Sequence, residues 1–207
     1  MGRGMVIVGL ILAGGSGVRL GGVRKADLRL GNVSLLQRVT SSLRGQCAPI
    51  LLSTGSTVYP DTQGLPQVPD APDAITGPAA GLLAGALWCK QNQPGALLLS
   101  VSVDTPFFPA DFAARASRVL DDGCACVVSA YGERTYPTNA IWRSDSLLSH
   151  LSLIPPAPRG PRLRDIEAAL AARHLDYGPL APADPFLGVN RMADLLALSA
   201  RIAPIGP

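Results

Sequence analysis

Lysine is nearly absent from this 207-residue chain: of its 18 basic residues only Lys25 and Lys90 are lysines, and the rest are arginine. That bias, alongside many alanines, reads as the imprint of a GC-rich genome. It also makes the position of Lys25 conspicuous. Charge of either sign is scarce, with 16% charged residues and a formal net charge of +3, too mild for a nucleic-acid surface. Histidine is limited to His150 and His174, and the cysteines (Cys47, Cys89, Cys124, Cys126) form no C-x-x-C pair. This argues against a zinc site. Cys124 and Cys126 fall on an apolar stretch and read as small buried hydrophobes, which fits a reduced cytosol. No apolar run reaches the ~20 residues that span a bilayer, and no internal repeat or low-complexity tract is present. Arg3 and the apolar residues after it imitate a short signal peptide. Cleavage after Ala13 would destroy the loop that follows, so Met5 to Leu12 is expected to be a core strand of a cytoplasmic protein. Gly2 is no myristoylation site, since Val6 stands where Ser or Thr is required.

Apolar residues make up 47% of the chain, enough for a substantial core, and 22 Gly with 19 Pro imply many turns. The length suits a single α/β domain. Met5 to Leu12 has the branching of a buried strand. It runs into Gly14, Gly15 and Gly17, followed by Arg19 and Lys25. Glycines let backbone N–H groups approach a ligand, and in an α/β sheet such a turn opens at the ligand crevice. Amides that cradle oxygens, with two cations to neutralise them, suit a polyphosphate. The loop is not a Walker loop, because Ala26 follows Lys25. Nor is it a dinucleotide fingerprint, because Leu20 stands where the third glycine belongs.

Farther along, Ser34 starts a helical pattern that Gly45 ends, and Pro49 to Ser53 reads as a short strand. Leu65 to Val68 reads as another, with Asp70 after it. Thr76 to Gly81 opens an apolar helix to about Gln91, with Pro78 suited to its first turn and small residues that would admit a flat ring. Gly95 to Asp104 is a continuous apolar strand ending in a carboxylate. An Asp there shares the crevice with the glycine loop, and magnesium uses one or two carboxylates plus phosphates. Pro109 to Leu120 reads as a helix. Cys124 to Tyr131 and Tyr136 to Arg143 read as strands about a Gly132–Arg134 turn, and Ser144 to Leu153 as a helix. A Pro-rich loop, 154–161, leads into Arg159, Arg162 and Arg164 and a helix expected from about Leu163 to Arg173. The three arginines suit either a phosphate site or a solvated basic surface. Asn190 is expected to cap the last helix, with a reach to the nucleotide or metal as the other reading.

The stretch Leu12-Ala13-Gly14-Gly15, with Arg19 and Lys25, resembles the signature of nucleotidyltransferases with a GT-A-type fold. The doubled glycine makes it most similar to the molybdenum cofactor guanylyltransferase family (MobA-like). Gly77 to Gly81, Asp104 to Pro106 and the region of Asn190 carry further resemblance. The chain departs from the family's pattern at Ser53, Val103, Tyr136 and Gly188. The resemblance implies a mostly parallel, doubly wound, Rossmann-like α/β sheet flanked by helices. It implies one nucleotidyltransferase domain over residues 1–207, binding nucleotide up to about residue 105 and acceptor beyond. The implied reaction is transfer of GMP from GTP to the phosphate of molybdenum-molybdopterin, with Mg2+ as cofactor. Leu12, Ala13, Gly14, Gly15, Ser53, Asp70, Gly77 and Asp104 would hold the nucleotide, Asp104 the metal, and Lys25, Arg19 and Asp104 would carry catalysis. Molybdoenzyme-maturation proteins are further implied partners; nucleic acid and membrane are not. Alternatives are a CTP-dependent molybdopterin cytidylyltransferase, another sugar- or alcohol-phosphate nucleotidyltransferase, a non-catalytic nucleotide-binding module, and a nicotinamide-dependent enzyme. The last is disfavoured by the missing fingerprint glycine.

Overall fold

A computed structural model describes residues 5–14, 23–55, 59–60, 62–70, 75–120, 123–155, 157 and 160–202. Gly15, Gly17, Arg19 and Arg159, expected to hold phosphates, lie outside the described residues.

The first strand, β1 (Ile7–Leu12), is followed after the glycine loop by a 3-10 turn (Lys25–Asp27) and a small hairpin of β2 (Arg29–Leu30) and β3 (Val33–Ser34). Helix α1 (Leu35–Leu43) starts at Ser34 for a chemical reason. The Ser34 hydroxyl accepts from Gln37 N, and Gln37 Oε1 accepts from Ser34 N, a reciprocal cap that satisfies two orphan donors. Strands β4 (Ile50–Ser53) and β5 (Gln67–Val68) precede α2 (Pro78–Asn92) and β6 (Leu97–Ser102). Helix α3 (Phe112–Val119), strands β7 (Cys126–Tyr131) and β8 (Arg134–Arg143), and helices α4 (Ser144–Leu151) and α5 (Leu163–Ala169) follow. Strand β9 (Arg173–Asp176) and α6 (Met192–Ser199) complete the described elements.

Seven strands form one sheet in the order β5-β4-β1-β6-β8-β7-β9. Every neighbouring pair is parallel except those of β8, which runs antiparallel to both β6 and β7. Alternation along the strands splits the core in two. Val8, Leu10, Leu98, Val128 and Trp142 pack under α2, α4 and α5, whereas Ile11, Leu52, Leu99, Val127 and Ile141 pack under α1 and α3. The sheet is therefore mostly parallel and covered on both faces, the doubly wound arrangement expected. Its β1 is buried from Val8 to Leu12, as a core strand must be. No helix of the described residues is long and apolar enough to cross a membrane.

Two expectations are corrected. The helix expected from Leu163 to Arg173 stops at Ala169, and its last residue, Arg173, opens the edge strand β9. The Ala-rich stretch favours helix locally, but Arg173 to Asp176 pairs in parallel with β7, a partner some fifty residues earlier that local pattern cannot reveal. Strand β6 ends at Ser102, so Asp104 sits in the turn beyond it, where Thr105 N donates to Ser102 O at 3.1 Å.

Candidate active site

The carboxyl ends of β4, β1 and β6 lie side by side, so the segments that leave them share one rim. Helix α2 reaches that rim because it carries glycine where it touches the sheet. A Cβ on Gly81 would come within 2.5 Å of Ser53 Oγ and 2.8 Å of a Leu12 methyl, and one on Gly85 within 2.7 Å of Leu10. Gly77 caps α2 at φ +75°, a conformation that favours glycine, and among the described residues nothing lies within 4 Å of where its Cβ would be.

Two distant segments, and Ser102 from its own turn, converge on Asp104. Lys25 Nζ donates to Asp104 Oδ2 at 2.6 Å and to Asn190 Oδ1 at 2.8 Å. Ser102 Oγ donates to Asp104 Oδ1 at 2.7 Å. Val189 N donates to the Asp104 carbonyl at 3.0 Å, and a Cβ on Gly188 would stand 2.9 Å from Asp104 Oδ1. Glycine at 188 is thus what admits the carboxylate. The Lys25 and Asp104 side chains are 29% and 15% exposed, reachable from solvent yet partly desolvated.

Asn190 does not cap α6. The capping position belongs to Arg191, and the Asp194 carboxylate accepts from both Asn190 N and Arg191 N at 2.8 Å. Those backbone bonds hold the Asp194 carboxyl below its ordinary range. The Asn190 side chain is thereby left to face Lys25. The segment carrying Gly188 and Asn190 is anchored by Phe186, which is 1% exposed and packed against Phe108, Phe112, Tyr136 and Tyr177. Tyr136 donates its hydroxyl to Asp184 and lies beneath the Arg134 guanidinium. It serves to hold this cluster, at a position where the chain departs from the family's pattern.

Asn139 is a further member that the sequence did not single out. Only 1% exposed, it accepts from Ser102 N at 2.9 Å through Oδ1 and donates to Thr105 Oγ1 at 3.2 Å through Nδ2. It continues the β6–β8 ladder with a side chain and clamps the turn on both sides of Asp104. Asn139→Ala should lower unfolding stability by about 1–3 kcal/mol, because Ser102 N loses its acceptor at a partly buried site. Urea denaturation checks this; an unchanged midpoint would mean that Asn139 does not hold the turn.

The remaining expected residues lie across β1. Leu12 and Ala13 are buried, and Gly14 is exposed. The Leu12 carbonyl accepts from Val103 N, Ala13 N donates to Ser53 O, and the Ala13 carbonyl accepts from Tyr59 Oη. Ser53 is 2% exposed with its hydroxyl directed beneath Gly81. Asp70 is half-buried, tied through its N–H to Gly55 O at 3.1 Å, and its Oδ1 has no partner among the described residues. Burial pushes its carboxyl pKa up. Arg24 pairs with Asp27 at 3.2 Å and lies over the Tyr59 ring, so it braces the loop. Arg162 and Arg164 are exposed, and α5 has only seven residues. Gly160 lies so close to the Thr76 carbonyl that a Cβ there would collide with it, which ties the end of the Pro-rich loop to the start of α2.

Among the described residues no group of three or more His, Cys, Asp or Glu side chains could hold a metal ion. The donor set at Asp104 is one carboxylate with a serine hydroxyl beside it. That fits magnesium arriving on a nucleotide, since magnesium takes one or two carboxylates and completes its shell with phosphates and water.

A mostly parallel sheet whose rim gathers Gly14, a lysine and a carboxylate defines the class of nucleotide-binding α/β transferase folds. Residues 9–175 match the family model of the MobA-like NTP transferase domain, and the chain belongs to that family. Its relatives include the molybdenum cofactor guanylyltransferase of Acidiphilium cryptum, 36% identical over 195 residues, covering 92% of this chain and 93% of that one. The protein of the same description from Rhizobium rhizogenes is 33% identical over 195 residues, covering 90% and 88%. Among solved structures, a nucleotidyl transferase from Methanothermobacter thermautotrophicus superposes with a TM-score of 0.72 at 17% identity, covering 96% of this chain and 98% of that one. Molybdopterin-guanine dinucleotide biosynthesis protein A from Archaeoglobus fulgidus superposes with 0.68 at 16%, covering 94% and 97%.

Proposed function

We propose that this protein transfers GMP from GTP to the phosphate of molybdenum-molybdopterin, giving molybdenum guanine dinucleotide and pyrophosphate. The observation that carries the reading is the convergence of Lys25, Asp104 and Asn190 at the rim of β1 and β6, in a chain whose relatives carry the guanylyltransferase name over nearly their whole length.

An oxygen of the acceptor's phosphate attacks the α-phosphorus of GTP, and the bond to the β-phosphate oxygen breaks. The attacker is already an anion, so no protein nucleophile is needed; the obstacle is repulsion between negative groups. The protein's task is to position the phosphates and neutralise charge. Asp104 would hold magnesium, which supplies Lewis-acid neutralisation of the phosphates. Lys25 neutralises the α-phosphate as charge develops. Asn190 and Asp104 fix the ammonium group, and Ser102 and Asn139 fix Asp104. Arg19 and the glycine-loop amides hold the β- and γ-phosphates. The start of α2 at Gly77 takes the base, and Asp70 helps to hold the nucleotide.

Thermal shift with the four NTPs, each with magnesium, tests the base. GTP at about 100-fold over its Kd should stabilise the protein by roughly 2.7 kcal/mol, or about 5–10 °C for a chain of this size. A larger shift with CTP would transfer the reading to cytidylyl transfer.

A further inference from the structure

Lys25 is aimed by a segment that is itself held from elsewhere. Residues 177–191 run between β9 and α6, and neither a sheet ladder nor a helix sets their path. They carry Asn190, whose side chain accepts from Lys25 Nζ at 2.8 Å, and Val189, whose N–H donates to the Asp104 carbonyl at 3.0 Å. What fixes this segment therefore fixes the ammonium group.

Asp184 is the fixed point, and its oxygens are shared out. Oδ1 accepts from Phe186 N at 2.8 Å, inside the segment, and Oδ2 accepts from the Tyr136 hydroxyl on β8. Its carbonyl accepts at 2.7 Å from the Arg201 guanidinium, which lies over the Phe107 ring. Tyr136 holds the segment a second time through its ring, 5.4 Å from that of Phe186. It is 8% exposed and paired across the sheet with Ser129 of β7, so its hydroxyl is presented from a rigid strand. Asn139 lies three residues farther along β8 and clamps the turn at Asp104. One strand thus holds both sides of the cradle of Lys25, the carboxylate through Asn139 and the amide through Tyr136.

We propose that Tyr136 and Asp184 are positioning residues for the transfer reaction. Acting through the segment that ends at Asn190, they set the Asn190 amide, and through it the direction of the Lys25 ammonium group. The inference rests on the reading of Lys25 as the cation of the α-phosphate. A misplacement of about 1 Å in a positioned group can cost ~10²-fold in rate, so a single anchoring hydroxyl can matter to turnover. Without that hydroxyl, Asp184 Oδ2 loses its tie to β8.

The test uses the scarcity of lysine. Lys25 and Lys90 are the only two, and Lys90 stands exposed in the last turn of α2. Trace acetylation of the full chain with acetic anhydride, read by peptide mass spectrometry without nucleotide, reports the hold on Lys25 with Lys90 as internal standard. An amine held between two acceptors must leave them to attack, so wild-type Lys25 should react about tenfold more slowly than Lys90. Tyr136→Phe keeps the ring and removes the hydroxyl. It should raise the Lys25-to-Lys90 ratio about three- to tenfold, as should Asn190→Ala. The double variant should exceed neither single one, because the first acts through the second. Asp184→Asn, which keeps one acceptor of two, should move the ratio in the same direction. In the transfer assay Tyr136→Phe should lower kcat about three- to thirtyfold with the KM for GTP nearly constant. An unchanged ratio in Tyr136→Phe, or effects that multiply in the double variant, would overturn the proposal and leave Tyr136 a packing member of the aromatic cluster. Absence of transfer from GTP by the wild type would instead defeat the proposed function, and the acetylation ratios report independently of that outcome.

Discussion

Asp104→Ala should fold normally and transfer no measurable nucleotide. The Asp104 side chain sits in the turn after β6, joined to Lys25 at 2.6 Å and to Ser102 at 2.7 Å. Its ion pair is partly exposed, so its removal should change stability by no more than about 1 kcal/mol. Its loss to catalysis is of another order. Without the carboxylate, the phosphates lose the protein's hold on their divalent counter-ion, and removal of one such electrostatic group costs ~10²–10³ in rate or more. Urea unfolding and a pyrophosphate-release assay separate the two effects. The parent enzyme should lose activity in EDTA and regain it with added magnesium. Full activity of the variant, or of the parent in EDTA, would remove Asp104 from the mechanism.

Lys25→Ala should show a different signature. Its ammonium group acts on charge that develops in the transition state, so kcat and kcat/KM should fall together by about 10²–10³ while the KM for GTP changes little. Lys25→Arg should not restore the rate, because a planar fork cannot replace a compact point charge held between one carboxylate oxygen and one amide oxygen. A rise in KM with kcat intact would mean that Lys25 only binds the nucleotide. Stability should be nearly unaffected, since the residue stands in a short 3-10 turn whose buried anchor is the neighbouring Ala26.

Local chemistry made much of this legible in the sequence. The Ser34 cap, the buried run ending in glycines, Pro78 at the start of α2 and the carboxylate after the β6 run are each written in adjacent residues, and the fold follows from their order. What could not be read locally depends on partners far along the chain. Arg173 to Asp176 has no strand pattern of its own; it becomes β9 because β7 offers an edge. Asn190 looked like a helix cap because Asn is common there, and only the reach of Asp194 back to its N–H freed the side chain for Lys25. Gly188 departs from the related pattern, and its reason is steric: the Asp104 carboxylate occupies the space of a side chain. Asn139 carried no motif and is recognisable only from its burial together with its two partners.

The contacts of Lys25 also bear on the order in which this molecule becomes competent. Its bond to Asp104 closes 79 residues of chain and its bond to Asn190 closes 165. Contacts of such separation cannot reward the chain until the intervening structure has condensed. The residues that match the family model end at 175, so the Asn190 segment lies outside that match and reaches Lys25 only by docking Phe186 among four other aromatic rings. The contact of Asn190 with Lys25 should therefore form late in folding. A chain whose sheet has formed but whose aromatic clasp has not is folded by most measures and still chemically blank.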